Sequence, residues 1–188
     1  NNAGDFLRLL GNGKDFGLDR IHYAYQEGEG GIAEALSLAE AFAEGKPICV
    51  VLGDNIIENN IIEAVGAYKA QGGGARILLK EVSDPERFGV PVFEGDRIVR
   101  IEEKPKDPRS SYAVIGIYMY DTRVFDIING LKPSERGELE ITDVNNAYIE
   151  AGTMEWSVLK GWWTDAGTTH SLLRASNMVE KSGANKIG

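Results

Sequence analysis

Three charged residues far apart in the chain, Asp54, Lys104 and Asp165, lie in the stretches of this sequence that could do chemistry. Asp54 follows Ile48-Cys49-Val50-Val51-Leu52-Gly53, an uninterrupted apolar run that reads as a strand buried on both faces and released by Gly53. In open parallel sheets ligands bind beyond the carboxyl ends of strands, where Asp54 and Asn55 are expected. Lys104 closes Arg100-Ile101-Glu102-Glu103-Lys104-Pro105, a charged strand end that Pro105 and Pro108 turn out of the sheet; by itself it reads equally as solvated surface. Asp165 lies in Gly161-Trp162-Trp163-Thr164-Asp165-Ala166-Gly167-Thr168, between aromatic bulk and a helix start, where helix capping by Asp165 or Thr168 is the plain structural account. Two carboxylates on separate loops suit Mg²⁺, which takes one or two acids and completes its shell with phosphate oxygens and water. Asp54 and Asp165 are the candidate pair. His22 and His170 have no Cys or second His at zinc spacing, and no Ser-His-Asp arrangement stands out. Asp84-Pro85-Glu86-Arg87-Phe88-Gly89-Val90 adds a turn and a glycine just before a strand, where a ligand can approach the backbone closely.

The glycine loop admits two readings. Gly28-Glu29-Gly30-Gly31-Ile32-Ala33 satisfies G-x-G-x-x-A between an expected strand and an expected helix, and Asp54 follows at the end of the next strand. That pattern matches a dinucleotide fingerprint, with a pyrophosphate at the helix N-terminus and Asp54 on a ribose hydroxyl. Against it stand the polar alternation of Arg20, His22 and Ala24 and the negative charge of Glu29; a mobile loop entering a helix fits as well.

The elements that must position these residues follow from periodicity. Asp5 to Leu10 reads as a short helix, Ile21, Tyr23 and Tyr25 as one face of a first strand, and Ile32, Leu36, Ala39 and Phe42 as one stripe of a helix closed by Gly45 and Pro47. A helix from about Glu58 stops at Gly72-Gly73-Gly74, before a strand over Ala75 to Glu81. Strand-helix alternation implies an α/β fold: a Rossmann-like open sheet, parallel in its first half, with helices on both faces. The second half adds mixed or antiparallel strands: a hairpin around Gly95-Asp96 and a long apolar strand from Tyr112 to Tyr120. Helices are expected over Thr122 to Ile128, over Thr142 to Glu150 with Thr142 as N-cap, and from Thr168, with a strand near Glu155 to Lys160.

Composition narrows the partners. With 188 residues and 43% apolar content the chain suits one domain spanning 1–188. Lys and Arg number 20 against 29 Asp and Glu, and a net charge of −9 repels a nucleic-acid backbone. No apolar run reaches the roughly 20 residues of a membrane span and no signal-peptide pattern leads the chain, so neither membrane nor nucleic acid is expected and a cytoplasmic location is. Cys49, the one cysteine, falls in the apolar run and reads as inert core. The chain opens on Asn1-Asn2-Ala3-Gly4 without Met, and is read as N-terminally incomplete.

Taken together, Val51-Leu52-Gly53-Asp54-Asn55, Asp84 to Val90, Glu102-Glu103-Lys104-Pro105, Tyr112 to Tyr118, Gly137-Glu138-Leu139-Glu140-Ile141-Thr142-Asp143 and Trp163-Thr164-Asp165-Ala166-Gly167 resemble, in order and over nearly the whole chain, the sugar-1-phosphate nucleotidylyltransferases. The closest resemblance is to the branch that uses dTTP and glucose 1-phosphate. It implies the nucleotide-diphospho-sugar transferase fold, Mg²⁺ as cofactor and dTDP-glucose and pyrophosphate as products. It assigns Asp54 and Asp165 to Mg²⁺ and nucleotide phosphates, and Lys104 to the sugar phosphate. Glu103 and the backbone near Gly89 and Val114 go to sugar hydroxyls, with Phe88 where the family commonly has Tyr. Gln26 and Gly31 match positions that read the pyrimidine; a Gln amide complements O4 and N3–H of thymine or uracil. The family's arginine-bearing phosphate loop would precede Asn1, so this chain alone is expected to be inactive, and a homo-oligomer is expected. A UTP-using uridylyltransferase, a degenerate regulatory subunit of the same fold and a nicotinamide-dependent oxidoreductase are the competing readings.

Overall fold

The longest apolar strand, Tyr112–Tyr120 (β6), is the one about which the others assemble. The structure, a computed structural model, describes residues 3–187. From Ala113 to Tyr120 every residue of β6 is buried, and alternate side chains enter opposite cores. Val114, Tyr118 and Tyr120 pack with helices Ile32–Ser37 (α2), Arg123–Gly130 (α5) and Ile141–Glu150 (α6). Ile115, Ile117 and Met119 pack with Ala64 and Tyr68 of Ile62–Gln71 (α4). Helices therefore cover both faces of an open mixed sheet.

Strands Ile48–Val51 (β1), Ala75–Glu81 (β3), Gly89–Glu94 (β4), Arg97–Glu103 (β5) and Met154–Val158 (β7) join β6 in the order β5-β4-β6-β3-β7, with β1 also on β6. β1 and β3 run in the same direction, as the strand-helix-strand reading requires, but they flank β6 and are antiparallel to it. The direct parallel ladder is β3 with β7. The central place goes to β6 because it alone offers a long apolar row to each face.

Several expectations are corrected. Residues 20–25 form no strand. Alternation needs a partner strand to become a ladder, and here side chains tie the segment down instead: Arg20 to Glu44 at 2.6 Å, Tyr23 Oη donating to Gly11 O at 2.7 Å, and the His22 ring 4.9 Å from that of Phe42. The glycine loop thus follows no strand, which removes the context of a dinucleotide fingerprint. The helix after it breaks at Leu38 and Ala39 into α2 and Glu40–Ala43 (α3). β1 ends at Val51; Ile48 and Val50 pack on the core, while the alternate side chains of Cys49 and Val51 are exposed on the other face, so Cys49 is not a core residue. Thr142 is not an N-cap: α6 begins one residue earlier, and the Thr142 hydroxyl, inside the first turn, faces Glu103.

The short first helix, Ala3–Leu10 (α1), the hairpin at Gly95, the β6 boundaries and the helix Thr169–Ser182 (α7) are as expected, the last with a capping box between Thr168 and Ser171. Two strands escaped notice. Asn55–Ile57 (β2) and Trp163–Asp165 (β8) form a small sheet of three residues each, and it builds the site.

Candidate active site

β2 and β8 pair so that Asn55 faces Asp165, and the Ala166 N–H donates to the Asp54 carbonyl at 2.7 Å. The two acids are thereby brought together although a large part of the chain separates them. Between them lies Gly167: a Cβ there would sit 3.0 Å from Asp54 Oδ2 and 3.9 Å from Asp165 Oδ2, so both oxygens border one glycine-sized gap. Asp54 Oδ1 accepts a hydrogen bond from Asn55 Nδ2 at 2.8 Å. Asp165, whose side chain is 14% exposed, has Arg174 3.3 Å from Oδ1 and Arg87 3.4 Å from Oδ2. This pair of hard oxygen donors fits Mg²⁺. Among the described residues no cluster of three or more His, Cys, Asp or Glu side chains could hold a metal, so a cation between these acids would complete its shell from water and substrate.

Beside the acids opens a cavity of about 280 Å³ whose walls include Asp54, Asp165, Phe88, Gly89, Glu103, Lys104 and Val114. Gly89 pairs with Glu103 on one side and Val114 on the other, which sets the three residues in a row across β5, β4 and β6. A Cβ on Gly89 would press on Ile101 Cγ2 at 3.2 Å. The Thr142 hydroxyl donates to Glu103 Oε2 at 2.6 Å, and Lys104 Nζ lies 3.6 Å from Glu103 Oε1. Lys104 holds φ at 44°, a left-handed conformation costly for a residue with a side chain and maintained here by its N–H donating to Phe88 O at 3.0 Å. Strain of this kind concentrates where a side chain must point in one direction. Phe88 meets Trp163 edge-on at 5.3 Å and carries the Arg87 guanidinium 5.2 Å from its ring centre. Tyr118 also lines the cavity; burial, with Glu103 and Asp54 nearby, pushes its phenol well above the usual range, so it stays neutral. Arg136 pairs with Glu140 at 2.8 Å and reaches Glu103 at 3.7 Å. Burial raises the Glu140 carboxyl, but hydrogen bonds from Arg136 and Ser134 outweigh it and hold the group below its ordinary value.

Gln26 and Gly31 do not line this cavity; its wall reaches Ile32, their neighbour in the chain. Gln26 Nε2 donates to Glu34 Oε2 at 2.6 Å and to Gly31 O at 3.1 Å, so the amide hydrogens are engaged within the loop. Gly31, at φ 94°, has a plain packing requirement: a Cβ would lie 2.5 Å from Leu139 O. A larger cavity of about 630 Å³ opens beside β1, between Cys49, Tyr68 and Met119. Its acid, Asp121, is engaged by the Gly74 N–H, Arg123 and Tyr148, and none of the expected site residues lines it.

Sequence reasoning missed Asn55, Arg87, Thr142, Trp163 and Arg174 as parts of the site. The first four lie inside the motifs named above: Asn55 and Trp163 sit within two residues of Asp54 and Asp165, Arg87 stands beside Phe88, and Thr142 carried no signal beyond its motif. Arg174 had none, since only the packing of α7 on β8 brings its guanidinium to Thr164 and Asp165.

The chain as a whole has known relatives. A family model described as Nucleotidyl transferase matches residues 1–182. The chain belongs to the nucleotidyl transferase family. Within that family it is 44% identical over 179 residues to the glucose-1-phosphate thymidylyltransferase of Neisseria meningitidis serogroup A, covering 93% of this chain and 62% of that protein. A Bacillus anthracis crystal structure in complex with sucrose, described as a candidate glucose-1-phosphate thymidylyltransferase, superposes with a TM-score of 0.90 at 48% identity, covering 99% of this chain and 74% of that one. UDP-glucose pyrophosphorylase in complex with UDP-glucose superposes with a TM-score of 0.75 at 26% identity, covering 85% of this chain and 66% of that one. The chain spans between about half and three-fifths of the length of the curated nucleotidyl transferases described as its relatives.

Proposed function

We propose that this chain is the nucleotidyl-transfer domain of a glucose-1-phosphate thymidylyltransferase, which joins dTTP and glucose 1-phosphate into dTDP-glucose and pyrophosphate. The observation that carries the reading is the facing of Asp54 and Asp165 across Gly167 beside a cavity that also holds Glu103 and Lys104. A phosphate oxygen of the sugar phosphate attacks the α-phosphorus of dTTP in line, the bond to the bridging oxygen breaks, and pyrophosphate leaves. No protein nucleophile is needed. Asp54 and Asp165 would hold Mg²⁺, which when bound supplies positive charge to the triphosphate oxygens.

The rest falls to the side chains. Lys104, fixed by its strained backbone, neutralises the incoming phosphate and sets its direction. Glu103, steadied by Thr142, accepts hydrogen bonds from sugar hydroxyls, while the bare backbone at Gly89 and the Val114 strand form the floor. Phe88 and Trp163 exclude water from one wall. Arg87 and Arg174 exchange part of their contact with Asp165 for phosphate oxygens. Gln26, its NH₂ held by Glu34, offers Oε1 to the N3–H of the base, with Gly31 shaping the loop beneath it.

This role agrees with a cytoplasmic homo-oligomer working on small anions. Uridylyl transfer from UTP is the second reading, favoured by the likeness to UDP-glucose pyrophosphorylase and by the fact that thymine and uracil share N3–H and O4. Pyrophosphate release is to be measured in the full-length protein with dTTP or UTP, with and without glucose 1-phosphate and Mg²⁺. Release that needs both glucose 1-phosphate and Mg²⁺ and is faster with dTTP supports the proposal. Faster release with UTP favours the second reading, and no release from either nucleotide refutes both.

A further inference from the structure

We propose that Asn55 is a positioning residue that determines which oxygen of Asp54 meets the cation, an inference that rests on the reading of Asp54 and Asp165 as the metal-holding pair. Asn55 Oδ1 accepts two hydrogen bonds, from the Gly116 N–H at 3.0 Å and from the Trp163 Nε1–H at 2.7 Å. Both partners are donors only, so the amide cannot be reversed: its NH₂ would then face two N–H groups. The NH₂ therefore points to Asp54, reaching Oδ1 at 2.8 Å. Oδ1 is occupied, and Oδ2 is the oxygen turned to the gap at Gly167 that Asp165 Oδ2 also borders. The fit needs a glycine at 116, where a Cβ would lie 2.5 Å from Asn55 Nδ2.

A carboxylate fixed in this way offers one oxygen. Mg²⁺ and Mn²⁺ accept one oxygen per carboxylate within a small octahedral shell, whereas Ca²⁺ readily takes both oxygens of one acid. Asn55 thus favours the smaller ions. A residue that merely stapled β2 to β6 and β8 would show no such preference, because loosening the staple would weaken every cation alike.

The test is metal binding by the protein itself, with no turnover involved. Mn²⁺ affinity is measured from the electron-paramagnetic-resonance signal of free Mn²⁺, and Ca²⁺ affinity by competition, in the parent, Asn55→Ala, Trp163→Phe and Asp54→Asn. Asn55→Ala is expected to weaken Mn²⁺ by about tenfold or more, the usual effect of losing a partner that orients a ligand, and to weaken Ca²⁺ by less than about threefold. Trp163→Phe removes one of the two donors that fix the amide; it shifts the same ratio in the same direction by less, and carries the test if Asn55→Ala fails to fold. Unchanged Mn²⁺ affinity, or equal losses for both ions, overturns the proposal while loss of Mn²⁺ binding in Asp54→Asn leaves the metal pair standing. Retained Mn²⁺ binding in Asp54→Asn overturns the metal pair and this inference with it.

Discussion

Replacing Gly167 with alanine adds one methyl group beside an oxygen of each of the two acids. Its Cβ would stand 3.0 Å from Asp54 Oδ2, where ordinary contact begins at 3.4 Å, so the carboxylate must retreat by a few tenths of an ångström. Asn55 holds the other oxygen, and the retreat becomes a rotation away from Asp165. Metal-ligand distances tolerate about 0.2 Å, and a misplacement of about 1 Å costs roughly a hundredfold in rate, so a loss of about tenfold in turnover with a raised Mg²⁺ requirement is expected. Stability is expected to hold. Gly167 is exposed and has no left-handed backbone, so alanine should change stability by no more than about 0.5 kcal/mol. The assay pairs pyrophosphate release by the full-length protein across a Mg²⁺ titration with a thermal melt. Parental turnover at parental Mg²⁺ would refute the reasoning, and a large fall in melting temperature would show that the methyl group acts on the fold instead.

Other consequences are open to measurement. Tyr120→Phe removes the hydroxyl that donates to Asn145 Oδ1 at 2.7 Å and leaves a buried oxygen unpaired, so denaturant unfolding should show a loss of about 1–3 kcal/mol; no change would contradict that pairing. Asp121 is pushed up by burial but held below its ordinary 3.8 by Arg123, the Gly74 N–H and Tyr148. A lowered folded value means its stabilisation is complete above 3.8 and fades as pH falls through that lower value. The stability gap between the parent and Asp121→Asn should therefore be widest at neutral pH and close in acid, and a gap independent of pH would argue against it. Lys104→Gln should lower kcat/KM for the sugar phosphate by about a hundredfold while leaving nucleotide affinity near the parental value, because the proposed role of the lost charge is toward the incoming phosphate and not the nucleotide.

Much of this was legible in the sequence, and the exceptions have physical causes. β6 was readable because its nine residues are almost uniformly apolar, and the Gly95 turn and Thr168 cap carry local chemistry that fixes local structure. Asp54 and Lys104 were legible as charges at expected strand ends and Asp165 as an acid just ahead of a helix, and the motifs around them showed the family. Residues 20–25 misled because alternation reports only that two faces differ, and a strand also needs a neighbour. Cys49 misled because an apolar run does not say whether a second layer covers it. β2 and β8 were too short for any periodicity, so the contact that unites the two acids came from pairing across the chain. Thr142 looked like a cap by type, yet its hydroxyl is engaged by Glu103, a partner 39 residues away.

The central claim is that Asp54 and Asp165 serve one cation in one transfer step. Its most direct test is a double-mutant cycle in the full-length protein on Mg²⁺-dependent pyrophosphate release from dTTP and glucose 1-phosphate, using Asp54→Asn, Asp165→Asn and the pair together. Groups that act as a unit are non-additive. Each single change is expected to lower release by about a hundredfold or more, with the double variant within about threefold of the worse single one. Losses that multiply in the double variant, or near-parental release from either single one, would contradict the shared cation.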